Sequence, residues 1–133
     1  MSTTALDLRL DPSVVAMDHR RGHRFQPPRS VLAKVPDLFT TDGQGTEAVV
    51  HVHYFLGGWD WWLTEVDPAT LEAFGFVRSP MCPDGEWGTM DLLELATTDA
   101  PVTMRGSSGS VGFRQPVERD CHWQPRTLAE VLR

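Results

Sequence analysis

Alternating apolar and polar positions in the middle of the chain predict a small antiparallel sheet. Residues 47–56 are rich in β-branched and aromatic side chains, Gly57-Gly58 suits the positive φ angles of a tight hairpin turn, and residues 59–66 return as a second strand. A third strand follows at 73–79 after a short turn. Because both faces of the first two strands carry large apolar residues, we expect helices on one face and a partly covered or binding surface on the other.

Weaker patterns on either side of this meander predict shorter elements. Asp91 with Glu94 three residues later, and Thr127 with Glu130, are capping pairs that begin two helices. The other predicted elements are a short strand at 5–10, a weak helix within 13–21, a loop at 82–88 and a last strand at 116–123. The predicted fold class is α+β: a small antiparallel sheet, a meander of three to five strands, with short helices packed on it.

The length and composition predict one domain. With 133 residues, of which 41% are hydrophobic, the chain is too short for two ordinary cores and too apolar for a disordered protein. We expect residues 1–28 to be a partly ordered N-terminal extension and residues 29–133 to form a single α+β domain with a flexible loop near 98–115. The chain has no apolar run near the roughly 20 residues that span a bilayer, no signal-peptide pattern and only two cysteines, so we expect a cytoplasmic protein.

The charge balance favours a basic protein partner. The net charge is −6 with histidine neutral, which repels nucleic acid, so neither direct nucleic-acid binding nor membrane binding is expected. One stretch departs from this average, because no acidic residue lies between Asp18 and Asp37. Arg20, Arg21 and Arg24 in this stretch are candidates for contact with a phosphate or an acidic partner. The favoured alternative is a solvated loop.

Acidic side chains gather near the predicted strand ends and form the main polar candidate site. Alternation along the second strand places Glu65 on the same face as Trp61 and Leu63, where a carboxylate must pair, bind a metal or take up a proton. One interpretation is a general acid/base pair or a Mg²⁺ site. The favoured one is an ion-pair network in which Arg119 bridges to Glu65 or Glu86 and sets the strand register. The full cluster comprises Glu65, Asp67, Glu86, Glu118, Arg119 and Asp120.

Three histidines form a weaker candidate site. His51 and His53 lie two residues apart on a predicted strand, so their imidazoles share a sheet face and could hold a metal with His122, Cys121 or Asp120 as a third ligand. No spaced Cys or His motif typical of metal sites accompanies them. Ordinary sheet residues are therefore the favoured interpretation, and we expect neither a metal nor another cofactor.

The tip of the predicted hairpin supplies a candidate partner contact. Trp59 follows Gly57-Gly58 and is the aromatic residue that we most expect to be exposed, with Asp60 beside it. Tryptophan and tyrosine are enriched at interface hot spots, although in a sheet protein they also build the core.

Several short motifs occur in a distinctive order along the chain: Thr64-Glu65-Val66-Asp67, Phe74-Gly75, Glu86-Trp87-Gly88 and Glu118-Arg119-Asp120. With these motifs, the chain resembles a family of small bacterial proteins catalogued as a domain of unknown function. The resemblance runs from about Arg29 to the C-terminus, with a longer insertion around 98–115. That family is carried largely on plasmids, integrative elements and phages, which implies a context of mobile DNA and no particular reaction. Many of its members have a basic residue in place of His53, which counts against a role that needs imidazole there.

These observations predict a small acidic non-catalytic interaction protein of a mobile genetic element. We expect an inhibitor of host defence, of the anti-CRISPR or anti-restriction type, that binds a host or element-encoded protein. An acidic surface could mimic DNA phosphates for a nucleic-acid-binding partner. The alternative is a metal-assisted hydrolase or nuclease that uses Glu65, Asp67, Glu86 and Asp120.

Overall fold

A five-stranded antiparallel sheet organises the computed structural model, which describes residues 6–133. The strands are β1 (Val49–Val50), β2 (Val52–Leu56), β3 (Trp59–Val66), β4 (Glu72–Ser79), β5 (Cys82–Asp91), β6 (Asp99–Gly106), β7 (Gly109–Pro116), β8 (Glu118–Arg119) and β9 (Arg126–Thr127). The helices are α1 (Pro12–Arg21), α2 (Arg29–Leu32), α3 (Leu92–Thr97) and α4 (Leu128–Val131), with 3-10 turns at Leu8–Leu10 and Gly45–Glu47. The main sheet has the order β5-β4-β3-β2-β8, while β1–β9 and β6–β7 form separate two-stranded ribbons.

The predicted α+β class and its central meander are confirmed. Strands β2 and β3 pair on either side of the Gly57-Gly58 turn, and Gly57 has the positive φ, 54°, that this turn requires. Asp91 begins α3 by accepting hydrogen bonds from the backbone N–H groups of Leu93 and Glu94. Thr127 and Glu130 form the predicted capping box of α4.

Four segments differ from their predicted structure. Residues 82–88, predicted to be a loop, begin the edge strand β5, where Pro83 has no residue opposite it in the β4–β5 register. Over its described residues, the predicted strand at 5–10 instead contains a 3-10 turn at Leu8–Leu10, where the Asp7 side chain accepts from the Arg9 backbone N–H. The predicted strand at 116–123 is divided: Pro116 ends β7 opposite Asp99, and Glu118–Arg119 pairs with the main sheet as β8. The region expected to be a loop near 98–115 is the β6–β7 hairpin.

One face of the sheet, the core face, is covered by α1, α3 and the N-terminal segment. Leu8, Val14 and Phe25 are fully buried in the same cluster as Tyr54 and Leu63 of the sheet. The Phe25 and Tyr54 rings stack at a centroid distance of 4.1 Å, and the Tyr54 hydroxyl donates to the Phe25 carbonyl oxygen at 2.8 Å. The described part of residues 1–28 is therefore part of the domain core.

The opposite face, the second face, carries an aromatic cluster that α4 partly covers. Trp62 and Phe76 are buried there against Leu128 of α4, and Trp87 packs at the edge of the group. This arrangement agrees with the expectation that the second face is partly covered. Within residues 6–133, no helix has the length and apolar character needed to cross a membrane.

A β-bulge in β3 changes which side chains share a face. Leu63 pairs with Gly75 but Glu65 pairs with Phe74, so Thr64 is the extra residue. A Cβ on Gly75 would overlap the Trp62 carbonyl oxygen, so the partner strand approaches closely at this point only because it has a glycine. The bulge moves Glu65 to the second face. The prediction that Glu65 shares a face with Trp61 and Leu63 is wrong, because it assumed uninterrupted alternation.

Candidate functional site

Glu65 is a structural anchor on the second face. Its buried carboxylate accepts hydrogen bonds from the backbone N–H groups of Phe39 and Thr41 at 2.9 and 2.7 Å, and from the Thr41 hydroxyl at 2.5 Å. Two backbone N–H groups and a hydroxyl thus occupy both carboxylate oxygens as hydrogen-bond donors. Glu65 therefore holds the segment before β1 against the sheet.

Glu86 and Arg119 of the predicted acidic cluster lie on different strands, far apart across the sheet. Glu86 pairs with Val77, Val77 with Trp61, Trp61 with Tyr54 and Tyr54 with Arg119. Four strand spacings of about 4.8 Å separate the backbones of Glu86 and Arg119, a distance of about 19 Å. The predicted bridge between these two side chains is therefore wrong.

Arg119 bonds to the N-terminal segment and not to Glu65. Its Nε donates to the Arg24 carbonyl oxygen at 3.0 Å, and its backbone N–H donates to Nε2 of His23 at 3.1 Å. Burial, together with the charge of Arg119, lowers the pKa of His23 and keeps Nε2 available as an acceptor. These two hydrogen bonds of Arg119 attach β8 to the segment before α2.

The remaining acids of the cluster have separate local roles. Asp67 accepts from the Ala69 backbone N–H at 2.8 Å in the turn after β3. Glu118 pairs with Phe55 at the opposite edge of the sheet from Glu86. The arrangement does not bring together the four carboxylates that a metal-assisted hydrolase would use.

His53 lies between two carboxylates and two indole rings on the second face. Its Nε2 is 2.8 Å from Asp60 and its Nδ1 is 3.3 Å from Asp120, while the ring stacks on Trp62 at 5.6 Å. His51 lies in the break between β1 and β2, where burial lowers its pKa. Among residues 6–133, no three His, Cys, Asp or Glu side chains are grouped so that they could hold a metal ion.

The three arginines of the basic stretch have different environments. Arg21 is buried, donating to Asp18 and to the Ala96 carbonyl oxygen, so it is not available to a partner, contrary to expectation. Arg20 forms an ion pair with Asp99 at 3.1 Å. Arg24 remains exposed.

A groove on the core face lies between the sheet and α3, and it was not predicted. It consists of two adjoining cavities of about 520 and 610 Å³, which share Trp61, Leu95 and Thr98 in their walls. The smaller cavity, the apolar end, is lined by Leu56, Trp59, Pro80, Ala100 and Val102 among others. Trp59 and Trp61 stack there at 5.6 Å with ring planes 18° apart.

The larger cavity, the acidic end, has three acidic residues in its lining. Glu72 and Asp91 face each other across the β4–β5 pair, and Glu94 follows in the first turn of α3. No Lys or Arg within residues 6–133 forms an ion pair with any of these three residues. The acidic end is therefore a local concentration of uncompensated negative charge.

The β6–β7 hairpin, here the arm, has one apolar face. Val102 pairs with Phe113 and Met104 with Val111, and residues two apart on a strand share a face, so these four side chains form the arm face. Met104 is 62% exposed, Val111 66% and Phe113 38%. Since Val102 also lines the groove, the arm face continues the apolar end outward.

The sequence contained part of the signal for this site. Trp59 was expected at an exposed hairpin tip, and the structure places it in the groove wall at 38% exposed. The arm was missed because its glycines and serines resemble a flexible loop, although Val102, Met104, Val111 and Phe113 alternate with polar residues around them.

Comparison with known proteins identifies no relative of this chain. The chain has no match among protein-family models, among curated proteins or among solved structures. The resemblance to a mobile-element family therefore stays a prediction.

Proposed function

We propose that this protein is a small acidic interaction protein that acts by binding another protein on the arm face and in the groove, without a catalytic step of its own. The arm face is the observation that carries the proposal. Met104, Val111 and Phe113 present a contiguous apolar surface to water on a two-stranded hairpin, and such patches mark sites of protein association.

The groove supports the same function. Trp59 and Trp61 offer stacked indole surfaces beside the arm, and tryptophan is among the residues that supply most of the binding energy at interfaces. The arm face and the apolar end form one surface because Val102 belongs to both. A partner can therefore cover them together.

The biological role that we propose is inhibition of a host defence protein on behalf of a bacterial mobile element, in the cytoplasm. This part rests on the family resemblance and on the net charge of −6. A negatively charged protein of this size can occupy the site that a defence protein keeps for nucleic acid. The direct partner would then be a basic host protein.

Quantitative capture from bacterial host lysate tests the proposal with matched variants. Val111→Glu and Met104→Glu place a charge on the arm face, whereas Leu10→Glu places one at a residue that is 77% exposed in the N-terminal 3-10 turn. We expect the wild type and Leu10→Glu to retain the same basic partner, and both arm variants to lose it.

Two further readouts make the result decisive. All variants should melt at the wild-type temperature, because the changed residues are exposed, and partner capture should fall steeply with salt. Equal capture by the wild type and the folded arm variants would contradict the proposal, as would the absence of any specifically retained protein.

A further inference from the structure

The lining of the groove changes from apolar to acidic along its length, and this change indicates which side chains a bound segment would need. Resting on the proposed function, we infer that the groove binds one short segment of the partner in which apolar side chains stand next to a lysine or arginine. The apolar side chains lie against Trp59 and the base of the arm, and the cation enters the acidic end.

The apolar end has the size and lining for side chains of a partner. Its volume of about 520 Å³ falls within the range of about 300–1,000 Å³ that is common for ligand pockets. Stacked Trp59 and Trp61 form one wall, while Ala100 and Val102 at the base of the arm form another. Burial of apolar side chains between these walls removes apolar surface of both molecules from water.

The acidic end selects the charge of the segment. Glu72 and Asp91 lie directly opposite each other on adjacent strands, an arrangement that is unfavourable for like charges. The Asp91 carboxylate already accepts from the backbone of α3, whereas Glu72 and Glu94 are exposed to solvent. A cation from the partner would reduce the repulsion among all three carboxylates.

Trp61 joins the two ends because it lines both cavities. A cation that enters the acidic end beside Trp61 can also contact the face of the indole ring, an arrangement that favours Lys and Arg. An anionic ligand would be repelled. A second copy of this chain would bring another net charge of −6 to the same surface, so the occupant that fits is a segment of a different protein.

The test uses a random-sequence peptide library displayed on phage as the probe. Selection on the wild-type protein should enrich peptides that place Leu, Ile, Phe or Trp beside Lys or Arg. An enriched peptide is then synthesised with a fluorophore, and its affinity is measured by fluorescence anisotropy at low and high salt.

The variants compare the two ends of the groove with a matched control. We expect Glu72→Gln/Glu94→Gln to weaken peptide binding about tenfold at low salt and less at high salt, because screening reduces the contribution of exposed charges. Trp59→Ala should weaken binding at both salt concentrations. Asp42→Asn/Glu47→Gln removes the same number of charges from the segment before β1 and should leave binding unchanged.

Failure of this inference is distinguishable from failure of the proposed function. The inference is overturned if no peptide is enriched, if the enriched peptides show no preference for Lys or Arg, or if Glu72→Gln/Glu94→Gln binds like the wild type. A concentration-dependent dimer that Trp59→Ala abolishes would identify a second copy as the occupant and also overturn it. In each case, loss of the lysate partner in Val111→Glu would still support the proposed function.

Discussion

Single side chains in this protein connect segments that are far apart in the sequence. Glu65 accepts hydrogen bonds from the Phe39 and Thr41 backbone, and Tyr54 donates to the Phe25 carbonyl oxygen. Both are buried polar groups with complete hydrogen bonding, so removal of one partner leaves the other unsatisfied in the interior. Removal of either hydrogen-bonding group should therefore lower the free energy of unfolding.

Replacement of Glu65 tests whether this carboxylate is an anchor. In Glu65→Gln the amide N–H₂ group must face one of the donors, so we expect a loss of about 1–3 kcal/mol in the free energy of unfolding, measured with urea. The Thr41 amide should also exchange faster with solvent. Glu86→Gln, at an exposed position on β5, is the control and should stay within about 0.5 kcal/mol of the wild type. Equal stability of the two variants would contradict the anchoring role.

Tyr54, the only tyrosine, gives the domain a defined response to alkaline pH. Burial raises the pKa of its hydroxyl above the ordinary value of 10.0, so the native state disfavours the tyrosinate form. The unfolded chain releases this proton first. The stability associated with Tyr54 is therefore complete below pH 10 and declines as the pH rises above that value.

The measurement compares tyrosinate absorbance with circular dichroism during an alkaline titration. We expect absorbance to rise only as the native dichroism is lost. Tyr54→Phe should lose about 1 kcal/mol below pH 10, through the missing hydrogen bond, and this difference should shrink at higher pH. Tyrosinate formation in a chain that keeps its native dichroism would show that the hydroxyl is not held as described.

At the scale of secondary-structure elements, the packing between neighbouring strands matters as much as the sequence pattern within each strand. The β3 bulge at Thr64 requires Gly75 opposite it, because any Cβ there would overlap the Trp62 carbonyl oxygen and lie 2.9 Å from Leu63 Cα. Gly88 faces Gly75 on β5 but has open space where its Cβ would be. Gly75 lies between β3 and β5, whereas Gly88 on the edge strand has only β4 beside it, so the two glycines have different steric requirements.

This difference predicts unequal effects of the same substitution. Gly75→Ala should destabilise the domain by at least about 3 kcal/mol, since the clash is with backbone, which cannot move aside like a flexible side chain. Gly88→Ala should change stability by less than about 1 kcal/mol. Thermal melting of both variants measures this, and accumulation of Gly75→Ala only in the insoluble fraction beside a folded Gly88→Ala would agree with it. Equal melting temperatures would show that the bulge does not need its glycine.

At the scale of the whole molecule, the arm stands apart from the domain core. Strands β6 and β7 pair only with each other, whereas β3 and β4 lie inside the five-stranded sheet. Arg20 ties the base of the arm to α1, because it forms an ion pair with Asp99 and donates to the Arg114 carbonyl oxygen at 3.1 Å. The hydrogen bond and ion pair with Arg20 also lower the pKa of Asp99, which keeps this carboxylate ionised.

Amide hydrogen exchange rates should distinguish the arm from the strands of the main sheet. We expect amides of the arm to exchange faster than those of β3 and β4, because a two-stranded ribbon with an exposed face opens more readily than a central strand. Arg20→Ala should accelerate exchange in the arm alone. Arg9→Ala, which removes an ion pair local to the N-terminal 3-10 turn, should leave the arm unchanged. Exchange in the arm as slow as in β3 would contradict the description of a separate ribbon.

The local features of this protein follow from its amino-acid sequence alone. The Gly57-Gly58 hairpin and the caps at Asp91 and Thr127 depend on residues only a few positions apart, so short-range periodicity and hydrogen bonding suffice to predict them. Features that depend on pairing between distant segments are visible only in the folded chain. The face occupied by Glu65 depends on a bulge opposite Gly75, and the groove forms where the sheet meets α3 and the base of the arm. Alternation along one strand does not indicate what the neighbouring strand will accommodate, so the bulge and the groove could be identified only in the folded structure.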